Sequence, residues 1–96
     1  KLQEKISLPE HYSIDLPYPN PFNPMVNMEF TIPAENHVKI IVYDLQGRVV
    51  DKLIDNTMQP GFYKVEWNAE NFASGIYFMH LSSGEFVSTQ KITLLK

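Results

Sequence analysis

The clearest apolar runs in this sequence repeat with a period of two, which points the chain to strands. Val26, Met28, Phe30 and Ile32 alternate with Asn27, Glu29 and Thr31 until Pro33 ends the run, the pattern of a strand with one face buried. From Val38 to Tyr43 the residues are β-branched or aromatic, with Val38, Ile40 and Val42 on one face. Asp44-Leu45-Gln46-Gly47 then supplies a turn into Arg48 to Ile54, a hairpin. Gln59-Pro60-Gly61 breaks the chain before Tyr63, Val65 and Trp67 alternate with Lys64 and Glu66. Gly75 to Leu81 and Phe86 to Leu95 form a last pair around the small residues Ser82-Ser83-Gly84. With Tyr12 to Leu16 counted, this makes about seven strands. No segment fits the helical i, i+3, i+4, i+7 template, and Asn56 to Met58 and Asn68 to Ser74 read as loops or single turns. The expected class is all-β: an immunoglobulin-like antiparallel β-sandwich of about seven strands, which sequence separates poorly from a small barrel.

At 96 residues and 11.1 kDa, the chain has room for one core, and size scaling lets it bury about 65% of its unfolded surface. The formal net charge of -3 and eight scattered basic residues argue against nucleic acid, which needs a concentrated cationic surface. Without cysteine there is no disulfide framework, thiolate metal site or cysteine nucleophile. Lys1-Leu2-Gln3-Glu4-Lys5 is too polar for the apolar core of a signal peptide. Lys1 to Leu8 mixes charged and apolar residues without a turn signal and is followed by Pro9, so it reads as a linker into one domain over 9–96. Pro17, Pro19, Pro21 and Pro24 fix their own φ and restrict the residue before each, so Leu16 to Pro24 reads as a stiff, extended connector.

Chemistry is sparse. His11, His37 and His80 share no ligand spacing, and zinc needs three or four converging ligands. The serines lie outside any strand-Ser-helix elbow, and no pair of carboxylates is marked out for acid/base work. Asp51, Asp55, Glu66, Glu70, Asn68 and Asn71 do not make a calcium loop. The expectation is no catalytic residue, no metal, no cofactor and no small-molecule substrate. Trp67, Tyr63 and Tyr77 could stack on sugars, yet Trp67 shares a face with Val65 and Tyr63, the pattern of a core tryptophan. Tyr77 is placed to turn inward and send its hydroxyl to a backbone carbonyl near the strand start, as in a tyrosine corner. Pro21-Phe22-Asn23-Pro24 has PxxP spacing without a basic anchor, and Phe22 suits a plug at one end of the fold.

Beyond this the sequence resembles a known family. Leu8-Pro9, then Tyr18-Pro19-Asn20-Pro21-Phe22-Asn23-Pro24, Tyr43-Asp44 with Gly47-Arg48, Pro60-Gly61 to Trp67, Ala73-Ser74-Gly75-Ile76-Tyr77-Phe78 and Lys91-Ile92-Thr93-Leu94-Leu95-Lys96 are similar to the type A C-terminal sorting domain of the type IX secretion system. Met25-Val26-Asn27 departs from the threonine-rich strand start common there. The resemblance implies a non-catalytic domain that directs an attached cargo across the outer membrane, in transit through the periplasm to the medium or cell surface. It implies as partners the type IX machinery, a surface sortase-like peptidase that removes the domain near Lys1 to Leu8, and the cargo itself. Carried over by position, the recognition residues are Pro19, Asn20, Pro21, Gly75, Tyr77, Lys91, Ile92, Leu94, Leu95 and Lys96. Lys91 to Lys96 is expected to offer unpaired edge groups to a translocon strand. The alternative is an immunoglobulin-like accessory module, glycan-binding or spacing, of a secreted enzyme or adhesin. The Trp67 to Tyr77 region also resembles the immunoglobulin-like domain of flagellar hook-capping proteins.

Overall fold

The computed structural model describes residues 8–96, so the expected linker, except Leu8, lies outside the described residues. Seven strands follow in chain order: β1 (Ser13–Ile14), β2 (Met25–Ile32), β3 (Asn36–Asp44), β4 (Val49–Met58), β5 (Gly61–Asn68), β6 (Gly75–Ser83) and β7 (Phe86–Leu94). They form two antiparallel sheets, one ordered β1-β2-β5 and the other β4-β3-β6-β7.

The period of two becomes burial. Val26, Met28, Phe30 and Ile32 of β2, Val38, Ile40 and Val42 of β3, Val65 and Trp67 of β5, Tyr77, Met79 and Leu81 of β6 and Ile92 and Leu94 of β7 join one apolar cluster drawn from both sheets. Alternate side chains of a strand point to opposite faces, so each strand contributes one face to this cluster. Trp67 is its largest buried side chain at 1% exposure. Its ring lies 5.3 Å from Tyr77, 5.4 Å from Phe72 and 5.8 Å from Phe22. Its indole N–H donates to Asp51 Oδ2 on β4 at 2.9 Å. The aromatic platform that could have stacked on a sugar is therefore inside.

Three local expectations need correction. Asn56 to Met58 is not a loop but the end of β4, where Asn36 pairs with Met58 and Val38 with Asn56. The ladder set by β3 carries on past the point where the apolar signal of β4 stops. The final turn is Gly84-Glu85, with Ser83 paired to Phe86 and Ser82 inside β6. Gly84 sits at φ +59°, and an added Cβ would lie 2.7 Å from the Asn36 amide nitrogen, at the end of a flexible side chain, so the backbone conformation favours glycine there. The strand expected over Tyr12 to Leu16 is reduced to Ser13–Ile14, though Tyr12 still stacks on Phe86 at 4.8 Å and hydrogen-bonds Ser83.

The β3–β4 turn is held by one carboxylate. Asp44 Oδ1 accepts the N–H groups of Gln46 and Arg48, while Oδ2 accepts Arg48 Nε at 2.7 Å. The Arg48 backbone N–H above all, together with its guanidinium, holds the Asp44 carboxyl below its ordinary pKa. A lowered folded-state pKa stabilises the fold above the unfolded value, and this contribution disappears as pH falls through the folded one. Asp44→Asn should therefore reduce the melting temperature at neutral pH and converge on wild type in acid. Thermal melts from neutral pH into the acid range check this, and a gap that stays constant or widens in acid would contradict it.

Candidate functional site: the proline segment on the last strand

The ten residues singled out by resemblance gather along one seam. β7 is an edge strand of the four-stranded sheet, and its outer side is occupied by the segment Tyr18 to Pro24. The Asn20 side chain works as a substitute peptide group: its Nδ2 donates to the Lys91 carbonyl at 3.0 Å and its Oδ1 accepts the Thr93 N–H at 3.0 Å. Two residues on, the backbone takes over. Phe22 N–H donates to the Thr93 carbonyl at 2.9 Å and the Phe22 carbonyl accepts the Leu95 N–H at 3.0 Å, a parallel bridge between Phe22 and Leu94. Four successive outward groups of the last strand, from the Lys91 carbonyl to the Leu95 N–H, are thereby paired.

This corrects the expectation that Lys91 to Lys96 presents a free edge. It also corrects the extended connector, because Leu16 to Pro24 does not span a gap but folds back on two strands. The peptide bonds before Pro19, Pro21 and Pro24 are cis. Tyr18 exchanges both backbone hydrogen bonds with Asn27 of β2, at 2.8 and 2.9 Å, and the Pro24 carbonyl accepts the Ala69 N–H at 2.8 Å. The Tyr18 hydroxyl donates to Glu29 Oε2 at 2.6 Å, and that bond to a carboxylate raises the phenol pKa. Phe22 is 2% exposed and fills the space beside Trp67, the plug that its sequence suggested.

The remaining residues lie on the inner side of the same strand. Gly75 pairs with Leu94 and Tyr77 with Ile92. The Tyr77 hydroxyl donates to the Ala73 carbonyl at 2.6 Å, as a tyrosine corner requires, so Tyr77 holds the turn before β6. Lys96 ties down the same turn: its N–H donates to Ser74 Oγ at 3.0 Å and its Nζ to the Glu70 carbonyl at 2.6 Å. Ile92 and Leu94 are fully buried, whereas Leu95 is exposed and Lys91 and Lys96 face solvent. Pro19 and Pro21 are exposed as well. Pro19, Pro21, Lys91, Leu95 and Lys96 are thus exposed, while Ile92, Leu94 and Tyr77 lie buried beneath them. The Phe22 backbone contacts and the Lys96 contact with Glu70 were not anticipated from the sequence, since nothing local marks contacts between segments so distant in the chain.

Among the described residues no three His, Cys, Asp or Glu side chains converge on a metal position. His37 pairs with Asp55 at 2.6 Å and His80 with Thr89 at 2.7 Å, far apart on the sheet.

Replacing Asn20 by alanine removes both side-chain bonds to the last strand without disturbing the core. The expected cost is about 1–3 kcal/mol, with faster hydrogen exchange at the Thr93 amide than in wild type. Unchanged exchange at Thr93 would show that the side-chain clamp does not hold the strand.

A family model described as the secretion system C-terminal sorting domain matches residues 17–95. The match begins at Pro17, just before the segment that covers β7, and runs through β7, leaving β1 outside it. No curated protein sequence matches the chain. Matched over most of its length, the chain belongs to the C-terminal sorting domain family of the type IX secretion system, a non-catalytic domain that engages this machinery on the way from periplasm to cell surface or medium.

Proposed function

We propose that the seam of the proline segment and the last strand is the sorting signal itself. The observation that carries this is that the residues similar to the family's motifs, distant in sequence, meet along β7 and leave Pro19, Pro21, Lys91, Leu95 and Lys96 as one exposed group. In this reading Asn20 and Phe22 fix the shape of the signal, and the exposed side chains are read by a component of the machinery. The domain occupies 9–96, follows a linker over Lys1 to Leu8, and is removed by a surface sortase-like peptidase that cuts in that linker and frees the cargo. Two sheets sharing one core around Trp67, with a tyrosine corner at Tyr77, support describing the fold as an immunoglobulin-like sandwich.

The test fuses residues 1–96 to a folded reporter carrying its own signal peptide, in a host with a type IX system. The reporter should reach the surface or medium, shortened by the mass of the domain. A fusion that stays in the periplasm while an established sorting domain exports the same reporter would overturn the reading and leave the accessory-module alternative. A fusion that is exported intact would remove the peptidase from the account.

A further inference from the structure

We infer that β5 is a self-complementary edge through which two copies of this chain pair antiparallel, extending the three-stranded sheet across a two-fold axis. The inference does not depend on the sorting reading.

The direction of the β5 peptide groups follows from its ladder. Ala69 N–H donates to the Pro24 carbonyl, and the register pairs Trp67 with Val26, Val65 with Met28 and Tyr63 with Phe30. In an antiparallel pair both backbone groups of alternate residues face the same neighbour. The odd-numbered residues of β5 therefore bond to β2, and Phe62, Lys64, Glu66 and Asn68 turn their N–H and C=O groups outward. Among the described residues no hydrogen bond reaches those groups.

The other edges are protected. β1 is only Ser13–Ile14. β4 pairs with β3 through register shifts at Ile40/Ile41 and Val42/Tyr43, irregularities that blunt an edge. Half of β7 is covered by Asn20 and Phe22. β5 runs eight residues in unbroken register, a flat edge of the kind that accepts another strand.

Its side chains specify which strand. Lys64 and Glu66 are both exposed and neither forms an ion pair among the described residues. Antiparallel pairing centred on Val65 sets Lys64 opposite the partner's Glu66 and Glu66 opposite the partner's Lys64, two favourable cross-strand pairs from one charge pattern. Phe62, 66% exposed, then meets the partner's Asn68. Tyr63 on β5 and Val50, Leu53 and Met58 on β4 pack only partly buried against the core. β4 lies alongside, joined to β5 by Trp67 and Asp51, so an added strand covers this apolar margin. A single strand pair is small against a standard interface, so the dimer is weak and forms at high local concentration.

Sedimentation equilibrium of the 96-residue chain from micromolar to millimolar concentration should show average mass rising above 11.1 kDa. Lys64→Glu or Glu66→Lys alone should raise the dissociation constant about tenfold by opposing like charges at both pairs. The double variant Lys64→Glu/Glu66→Lys should return it to the wild-type value, and cooperative thermal melts establish that all three remain folded, although the carboxylate introduced by Lys64→Glu then faces Glu29 of β2 in two of them. Backbone amides of Phe62, Lys64, Glu66 and Asn68 should exchange more slowly as concentration rises. A wild-type chain that remains monomeric at millimolar concentration overturns the inference. So does a double variant no better than the single ones, or protection that develops at Val87 and Thr89 of β7 instead.

Discussion

Trp67→Ala is expected to lower the stability of this domain by about 3–5 kcal/mol and its melting temperature by more than about 10 °C. The indole is 1% exposed and touches three other aromatic rings, Phe22, Phe72 and Tyr77, which come from the proline segment, the turn after β5 and β6. Its removal leaves a cavity where the two sheets and the plug converge, and cavities of this kind collapse poorly. It also deprives Asp51 Oδ2 of its indole donor, adding the cost of an unsatisfied acceptor on a half-buried carboxylate. Thermal or denaturant melts measure the effect. A variant melting within a degree or two of wild type would show that Trp67 faces solvent, and the sugar-stacking reading would return.

Deleting Lys91 to Lys96 should unfold the domain outright. The deletion removes Ile92 and Leu94, both fully buried, and truncation of one such side chain alone costs about 2–5 kcal/mol. With them go the pairings of Gly75 with Leu94, Ile76 with Thr93 and Tyr77 with Ile92, and every partner that Asn20 and Phe22 have on the last strand. The combined loss is comparable to the whole stability of a small domain, about 5–15 kcal/mol. Far-ultraviolet circular dichroism and a melt of the truncated chain should show no cooperative transition. A truncated chain that melts cooperatively would mean that the last strand is appended to the fold instead of completing it. The consequence for export is direct: failure of the truncated domain to leave the cell reports lost structure as much as a lost signal, so only substitutions at exposed positions separate the two.

Much of this architecture is legible in the residues because burial imposes a period. From Val26 to Ile32 in β2 and from Tyr63 to Trp67 in β5 the apolar positions alternate and are the buried or half-buried ones, so the core face could be named there residue by residue, down to the inward turn of Trp67. Tyr77 was legible for a related reason, since its place two residues after the glycine that begins β6 fixes both its face and its reach to Ala73. Where burial is partial the period fades. β4 is half-exposed along its length, and its last residues, Asn56 to Met58, are strand only because β3 lies beside them. The clamp was the least legible part. Asn20, as a short polar residue among prolines, reads as a turn former; that its carboxamide replaces a peptide group on a strand seventy-one residues away is a fact of tertiary placement. The expectation of a free last edge failed on that contact, because the segment read as a connector is the strand's neighbour.

In the proposed function the exposed side chains of this seam, and not merely the fold beneath them, are what the secretion machinery reads. Lys91→Ala/Leu95→Ala changes side chains that face solvent and leaves the ladder, Ile92, Leu94, Asn20, Phe22 and the Lys96 bonds to Ser74 and Glu70 in place. Export of the reporter fusion is measured in medium, surface and periplasm alongside the melting temperature of the purified variant. The expected result is a cooperative melt within a few degrees of wild type together with reporter retained in the periplasm. A folded variant exported as efficiently as wild type would contradict it.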